Sequence, residues 1–459
     1  MASTKFREEI DSLGKVMVPD EAYYGPQTQR AMENFTISRH RFPHTFISNI
    51  ALIKKHGATV NTELGLVDAK ISAAIKQAAG EVIEGKFSKD FLLDVFQSGS
   101  GTNTNMNVNE VIATRANELL TGKRRTKSPV HPNDHVNCCQ SSNDVFPTAI
   151  RMTALMMIAR KLVPGLQMLN ESLGKKSLEF SHIRKIGRTH LQDAVVMSLG
   201  EEFSGYAMQA ALAVKRLDAV QERLLSLPLG GTAVGTGLNA HKDFAPRVIA
   251  EISKTTGLAF RETQNHFEAQ ACMDTEVEAM GALKTIAVSM IKIANDIRWL
   301  ASGPHCGLGE IQLPAIAPGS SIMPGKVNPI ICEAVIQAAA QVIGNDAAVC
   351  HGGTGGYFEI NLMQPMIAHN LFGAIELLAN SAVLLCEKCI SGITANEAKC
   401  EEYVNKSLAV VTVLVPHIGY DRASQIAKNA YESKISVEEA AIRENIMPTE
   451  KLRAILYDK

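Results

Sequence analysis

The sequence predicts an all-α protein built around a central bundle of five long helices. Five long stretches repeat apolar residues at spacings of three and four, and strand-like alternation is sparse and short. Between those stretches, glycine, proline, serine and asparagine gather into a few polar segments that mark the breaks.

The helical stretches begin at Pro147 ("PTAIRMTALMMIARKL"), Gly200 ("GEEFSGYAMQAALAV"), Met273 ("MDTEVEAMGALKTIAV"), Pro329 ("PIICEAVIQAAAQVI") and Met366 ("MIAHNLFGAIELLAN"). Each runs well beyond the roughly three turns of an ordinary globular helix, which favours a bundle. The missing alternation of strand and helix excludes a doubly wound sheet. Three domains are expected: 1–140 with shorter helices and loops, 141–395 with the five-helix bundle, and 396–459 with short helices separated by "PHIGYDR" and "NIMPTE". Apolar faces on helices this long exceed what one bundle needs, so burial between identical subunits is expected.

Composition narrows the function. With 46 basic and 47 acidic residues the net charge is −1, which gives no electrostatic reason to expect nucleic acid or an anionic membrane as partner. A small molecule is the expected ligand. The longest apolar runs, such as Leu408 to Pro416 with only Thr412 interrupting, are shorter than the roughly 20 residues of a membrane helix. The N-terminal "MASTKFREEIDSLG" carries Glu8, Glu9 and Asp11, which fits neither a secretory signal nor a transit peptide, and a cytoplasmic protein is expected. Nine cysteines without a secretory signal point to reduced thiols. Cys386 and Cys389 form a CxxC, but no second pair or nearby histidine completes a zinc site, and no metal is expected.

The chemistry is expected in the polar segments. "GSSIMPGKVNP" at 319–329 is not a phosphate loop: five residues separate Gly319 from Gly325, and Val327 stands where the magnesium-binding hydroxyl belongs. It closes a segment, 302–329, with five glycines and five prolines, which reads as a mobile binding loop. Ser320 and Ser321 supply hydroxyls there, and Lys326 and Asn328 complete a receptor for an anion. "GGTAVGTG" at 230–237 lacks a strand–helix context and reads as turns. Three more segments, "SGSGTNTNMNVNE" at 98–110, "HPNDHVNCCQSSNDVFPTA" at 131–149 and "GRTHLQDA" at 187–194, stand at helix edges, where free amides and the helix dipole favour carboxylates. "QSSND" also reads as a capping segment, with Ser142 or Asn143 as the cap. His190 lies between Thr189 and Gln192, and Glu333 is either its carboxylate partner or a residue serving its own helix dipole.

Together these motifs resemble the class II fumarases of the aspartase/fumarase superfamily. "SGSGT", "HPNDHVN", "QSSND", "GRTHLQDA" and "GSSIMPGKVNP" match in order and at similar separations, and the likeness runs from about Val18 to "PHIGYDRASQIAKNAYE". The resemblance implies an all-α, three-domain subunit, a homotetramer with a 20-helix core, active sites shared between three subunits, and reversible hydration of fumarate to L-malate in the tricarboxylic acid cycle without cofactor or metal. It implies Ser320 as the base, and His190 with Glu333 as the pair that handles water. Ser100, Gly101, Thr102, Ser141, Ser142, Asn143, Thr189, Ser321, Lys326, Val327 and Asn328 would bind substrate. His131, Pro132, Asn133 and Asp134 would form a second anion site. One departure stands at Val195, where fumarases usually continue "HLQDA" with Thr-Pro. The alternatives are an aspartate ammonia-lyase, which shares the serine-loop chemistry, and a non-catalytic structural relative.

Overall fold

The structure, a computed structural model, describes residues 5–457, so the first four residues of the N-terminal stretch read above lie outside it. The chain divides into two compact units. One comprises Met1–Val163, Lys215–Ala287 and Ala340–Ala379, and the other Pro164–Val214, Val288–Ala339 and Asn380–Lys459.

All five long helices are present. Ser142–Met157 continues through a π-helical turn, Ile158–Leu162, into Val163–Glu179; the others are Leu199–Leu224, Asp274–Leu300, Ile330–Gly353 and Gln364–Lys388. The first starts five residues before the stretch read from Pro147. A capping box sets its start, and its cap is Ser141, not Ser142 or Asn143: the Ser141 hydroxyl accepts from the Asn143 amide while Asp144 accepts from the Ser141 amide. Pro147 then sits early in the helix. Gln364–Gly392 is long and apolar enough by composition to cross a membrane, which counting unbroken apolar runs did not reveal because Asn370 and Glu376 interrupt it. More than half of that window is buried within the protein, as in a core helix.

Strand is confined, among the described residues, to five two-stranded sheets. Two hairpins that the sequence reading missed matter most: Phe6–Asp11 with Gly14–Pro19, and Arg184–Thr189 with Gln192–Ser198. Both are short, and alternation over six or seven residues is a weak signal beside helical periodicity over twenty-five.

In the first unit, helix His44–Glu63 packs on Ala69–Ile83 and on Ser142–Met157. Phe46 anchors that contact, edge-on to Phe146 at 5.1 Å and tilted against Phe372 at 5.3 Å. Helix Pro26–Asn34 has no side-chain cap of its own, because Gly25 precedes it. Glu110, on helix Thr102–Thr121, supplies one from a distance. Its buried carboxylate accepts the amides of Gly25 (2.9 Å), Gln27 (2.9 Å) and Thr28 (3.0 Å) and the Thr28 hydroxyl (2.6 Å). Burial raises the Glu110 pKa, and these donors oppose the rise.

In the second unit, Phe180, Phe203 and Tyr206 stack edge to face, and the Tyr206 hydroxyl lies 2.9 Å from Glu202 and 3.0 Å from Asp296. The short strand Ile311–Gln312 pairs with Thr394–Ala395 and fastens the long Gly/Pro-rich loop upstream of Gly319. The C-terminal helices close over Leu414, Ile426, Val437, Leu452 and Leu456. Each such burial is worth about 1.5–3 kcal/mol.

Glu110→Ala would strand four donors. We expect it to cost about 3 kcal/mol or more in urea unfolding; a loss below about 1 kcal/mol would contradict the capping role.

Candidate functional site

Two of the polar segments meet in the first unit. Gly101 adopts φ 70°, and a Cβ there would collide with the Phe146 ring, so only glycine turns the chain into helix Thr102–Thr121 at this point. The turn sets the Ser100 hydroxyl 3.0 Å from that of Thr102, which lies 2.8 Å from the hydroxyl of Ser142. This three-hydroxyl chain is partly buried. Asn143 extends the site by donating to the Ala233 carbonyl at 2.8 Å. That brings in the 230–237 segment, read from sequence only as turns. Fully buried Asp144 locks it in place by accepting the amides of Gly230 and Thr232, each at 3.0 Å. Burial pushes the Asp144 pKa up, and the amides of Ser141, Gly230 and Thr232 pull against it.

The "HPND" stretch forms a π-helical turn, Pro132–Val136. His131 caps it, its Nδ1 accepting the amides of Asn133 and Asp134 at 3.2 Å each. The ring proton therefore belongs on Nε2. Burial holds the His131 pKa below the ordinary imidazole value, opposed by the nearby Asp134 carboxylate. Pro132 is buried at the first position of the turn, while Asn133 and Asp134 are exposed.

Beneath this turn lies a residue the sequence reading missed. Lys54 is fully buried, and its Nζ donates to Asn137 Oδ1 (2.8 Å) and Gln140 Oε1 (2.9 Å). Asn137 Oδ1 also accepts from Asn105 (3.2 Å) and Asn109 (3.1 Å). The lysine thus ties the segment joining "HPND" to "SSN" onto helix His44–Glu63. Its helical spacing was a usable signal, because Lys54 falls in the row of Ile47, Ile50 and Ala58, all buried.

The second unit carries the other two segments. His190 and Leu191 form the two-residue tip of the Arg184–Thr189/Gln192–Ser198 hairpin, with φ 55° and 60°. Such a turn normally takes Asn-Gly, so two side-chain-bearing residues here store strain. Thr189, His190 and Gln192 are exposed. The hairpin is held from below by Arg188, which makes a bidentate pair with buried Glu310 at 3.0 and 2.7 Å. Val195 and Val196, at the point of departure from Thr-Pro, continue the strand, and Val196 pairs with Ile186.

In the 302–329 loop, the Gly319 amide donates to the Lys326 carbonyl (2.8 Å), and Asn328 Nδ2 donates to the Gly319 carbonyl (2.6 Å). A Cβ at Gly319 would collide with the Lys326 carbonyl. Inside the neck so formed, the Ser320 hydroxyl oxygen accepts the amides of Ile322 (3.2 Å) and Met323 (3.0 Å). The groups that act on the Ser320 oxygen are thus the loop's own amides. Ser321, Lys326 and Val327 are exposed. Glu333 stands in the first turn of Ile330–Gly353, half-buried. Among the described residues no hydrogen bond or ion pair joins His190 to Glu333 within this unit, so the pairing expected from sequence is not made inside one chain. A charged cleft of about 890 Å³, lined by Arg7, Glu118 and Arg124 among others, includes none of the motif residues.

The family model described as Lyase matches residues 14–344, and that described as Fumarase C C-terminus matches residues 410–457. The chain belongs to the class II fumarate hydratase family. All five motif segments fall within the lyase match. Fumarate hydratase class II of Nitrosomonas europaea is 52% identical over 96% of this chain and 95% of its own length. The mitochondrial fumarate hydratase of Rhizopus oryzae is 50% identical over 98% of this chain and 91% of its own. Among solved structures, recombinant class II fumarase from Schistosoma mansoni superposes with a TM-score of 0.96 at 42% identity, covering 98% of both chains. The fumarate lyase:delta crystallin of Brucella melitensis bound to cobalt gives 0.95 at 42% identity over 98% of both. These two solved structures share the all-α fold, with little strand, described above.

Burial lowers the Lys54 pKa to about 7. Between about pH 7 and the ordinary lysine value near 10.4 the unfolded chain binds more protons than the folded one, so this group's contribution to stability rises with pH across that window. The stability difference between the wild-type protein and Lys54→Met is therefore expected to shift towards the wild type from pH 7 to 10 in urea unfolding. A difference that does not change with pH would contradict the buried titration.

Proposed function

We propose that the protein interconverts fumarate and L-malate at sites completed by copies of the same chain, with Ser320 as the base. The observation that carries this reading is the pair of amides on the Ser320 oxygen. A serine hydroxyl is a poor base until its alkoxide is stabilised, and two fixed donors about 3 Å away do that without reorganising. Ser320 then takes the C3 proton of malate. The proton lies beside a carboxylate, so its removal leaves a doubly charged aci-carboxylate, and Lys326, Asn328 and exposed loop amides are suited to receive that charge. Each such donor is worth about 3 kcal/mol in the transition state.

Ser100, Thr102, Ser142 and Asn143 form the proposed subsite for a substrate carboxylate, shaped by Gly101 and Ser141, with Thr189, Ser321 and Val327 as further walls. His190 positions the water that leaves or attacks C2, and Glu333 raises its basicity once the two meet. The exposed hairpin tip, and the absence of a His190–Glu333 contact within one chain, support a site to which separate copies contribute these residues. A homotetramer with a 20-helix core supplies such copies. It also covers the exposed apolar side chains Met208, Leu212, Val288 and Trp299 of the long helices. In that assembly residues 1–140, 141–395 and 396–459 act as the three domains of the subunit. His131, Pro132, Asn133 and Asp134 are proposed as a second anion site, with Nε2–H of His131 as its donor.

The deciding experiment follows the ultraviolet absorbance of the fumarate double bond with L-malate and, separately, with L-aspartate. Turnover of malate alone is expected; turnover of aspartate alone would assign the loop to ammonia elimination, and none with either would leave a structural relative. In the same assay Ser320→Ala and His190→Asn are each expected to lose about 100-fold or more with the oligomer intact. Asparagine tolerates the left-handed turn, so the hairpin survives the second change. Near-wild-type rates in either variant would remove that residue from the mechanism.

A further inference from the structure

We propose that Cys332 and Cys389 form a dithiol that a hydroperoxide oxidises to a disulfide, pinning the ends of the Ser320 loop. The CxxC suggested by sequence pairs Cys389 with Cys386, but in the structure the nearer thiol comes from another helix. The Cys332 and Cys389 sulfurs lie 3.8 Å apart, both buried. A disulfide needs about 2.05 Å between sulfurs, so one small approach closes the bond.

A narrow cleft borders both cysteines. It is lined by Leu313 and Pro314, upstream of Ser320, and by Asn328 and Pro329, downstream of it, together with Cys332 and Cys389. The stretches on either side of the Ser320 turn therefore converge on the dithiol. Gly392, three residues beyond Cys389, packs so closely on Pro314 that a Cβ would come within 3.0 Å of its ring. Cys332 lies in the first turn of helix Ile330–Gly353, next to Glu333. A backbone shift that brings its sulfur nearer Cys389 would also move Pro329 and Glu333, its neighbours along the chain.

The environment divides the roles. The contact with Cys389 and the charge of Arg298 hold the Cys332 thiol below its ordinary pKa, against burial. The same contact and burial push the Cys389 thiol up. Cys332 is therefore the attacking thiolate. Its sulfur bonds to one oxygen of hydrogen peroxide and breaks the O–O bond, and the other oxygen leaves as hydroxide and takes up the proton Cys332 gave up, leaving a sulfenic acid and a first water. The Cys389 sulfur then attacks the sulfenic sulfur, giving up its proton and expelling the second water. Two thiols lose two electrons and two protons, and the peroxide receives both.

The disulfide stands on the sulfur geometry alone, whereas its effect on turnover rests on the catalytic reading of the Ser320 loop. The test therefore reads the two separately. The intact oligomer is treated with hydrogen peroxide, its free thiols are blocked with N-ethylmaleimide, and a non-reducing digest is searched by mass spectrometry for a Cys332–Cys389 linked peptide. Malate turnover is measured in parallel.

We expect the linked peptide and a loss of turnover of about tenfold, restored by dithiothreitol. Cys389→Ser, and Cys332→Ala as a second variant, should keep basal turnover within about twofold and resist peroxide. Recovering both cysteines as maleimide adducts after treatment would overturn the proposal. So would a linked peptide with unchanged turnover, or variants inactivated as fast as the wild type. If the untreated protein turned over no malate, the catalytic reading would fall while the linked peptide still decided the dithiol.

Discussion

A carboxylate taken out of water must be met by donors, and the protein uses that demand to fasten its polar loops. Asp144 holds two loops together through three backbone amides. Glu310 anchors the His190 hairpin through Arg188, and Glu110 caps a helix from another part of the chain. In each case the side chain is buried and binds structure, leaving the neighbouring hydroxyls and amides free to face a ligand. Removing the anchor would leave the functional residues in the sequence but no longer in register.

This division of labour fits the chemistry. Proton removal beside a carboxylate demands donors aimed at charge that does not yet exist, and such donors help only if they are already in place. The short neck of the 319–328 loop, closed by Gly319, Lys326 and Asn328, meets that requirement locally. The strained tip at His190 and Leu191 is the opposite case: backbone energy is stored at an exposed point to present one side chain.

Much of this was legible in the sequence, for physical reasons that differ by element. The five long helices repeat their apolar pattern over six turns or more, so their existence was secure, while the start of the first was misplaced because Pro147 looked like an opening when Ser141 and Asp144 already formed the cap. The hairpin at 184–198 was missed because its strands are short and its turn uses His-Leu in place of glycine. At the site, the hydroxyl and amide clusters stood out by composition, and two of them touch where Thr102 lies between Ser100 and Ser142. Lys54 did not stand out, since a single lysine makes no motif; its place in the apolar row of its helix was the signal, and its amide partners explain its burial. The donors on Ser320 were illegible too: every residue but proline has a backbone amide, and only the turn decides where it points.

The central claim is that the catalytic groups of one site come from different copies of the chain. It is tested most directly by mixing two inactive variants, Ser320→Ala and His190→Asn, unfolding them together and allowing hybrid oligomers to form. Sites that take Ser320 from one variant and His190 from the other would carry both intact groups, so malate turnover should reappear in the hybrids and not in either variant refolded alone. Hybrids that assemble yet stay inactive would mean that both groups come from one chain and would contradict the account.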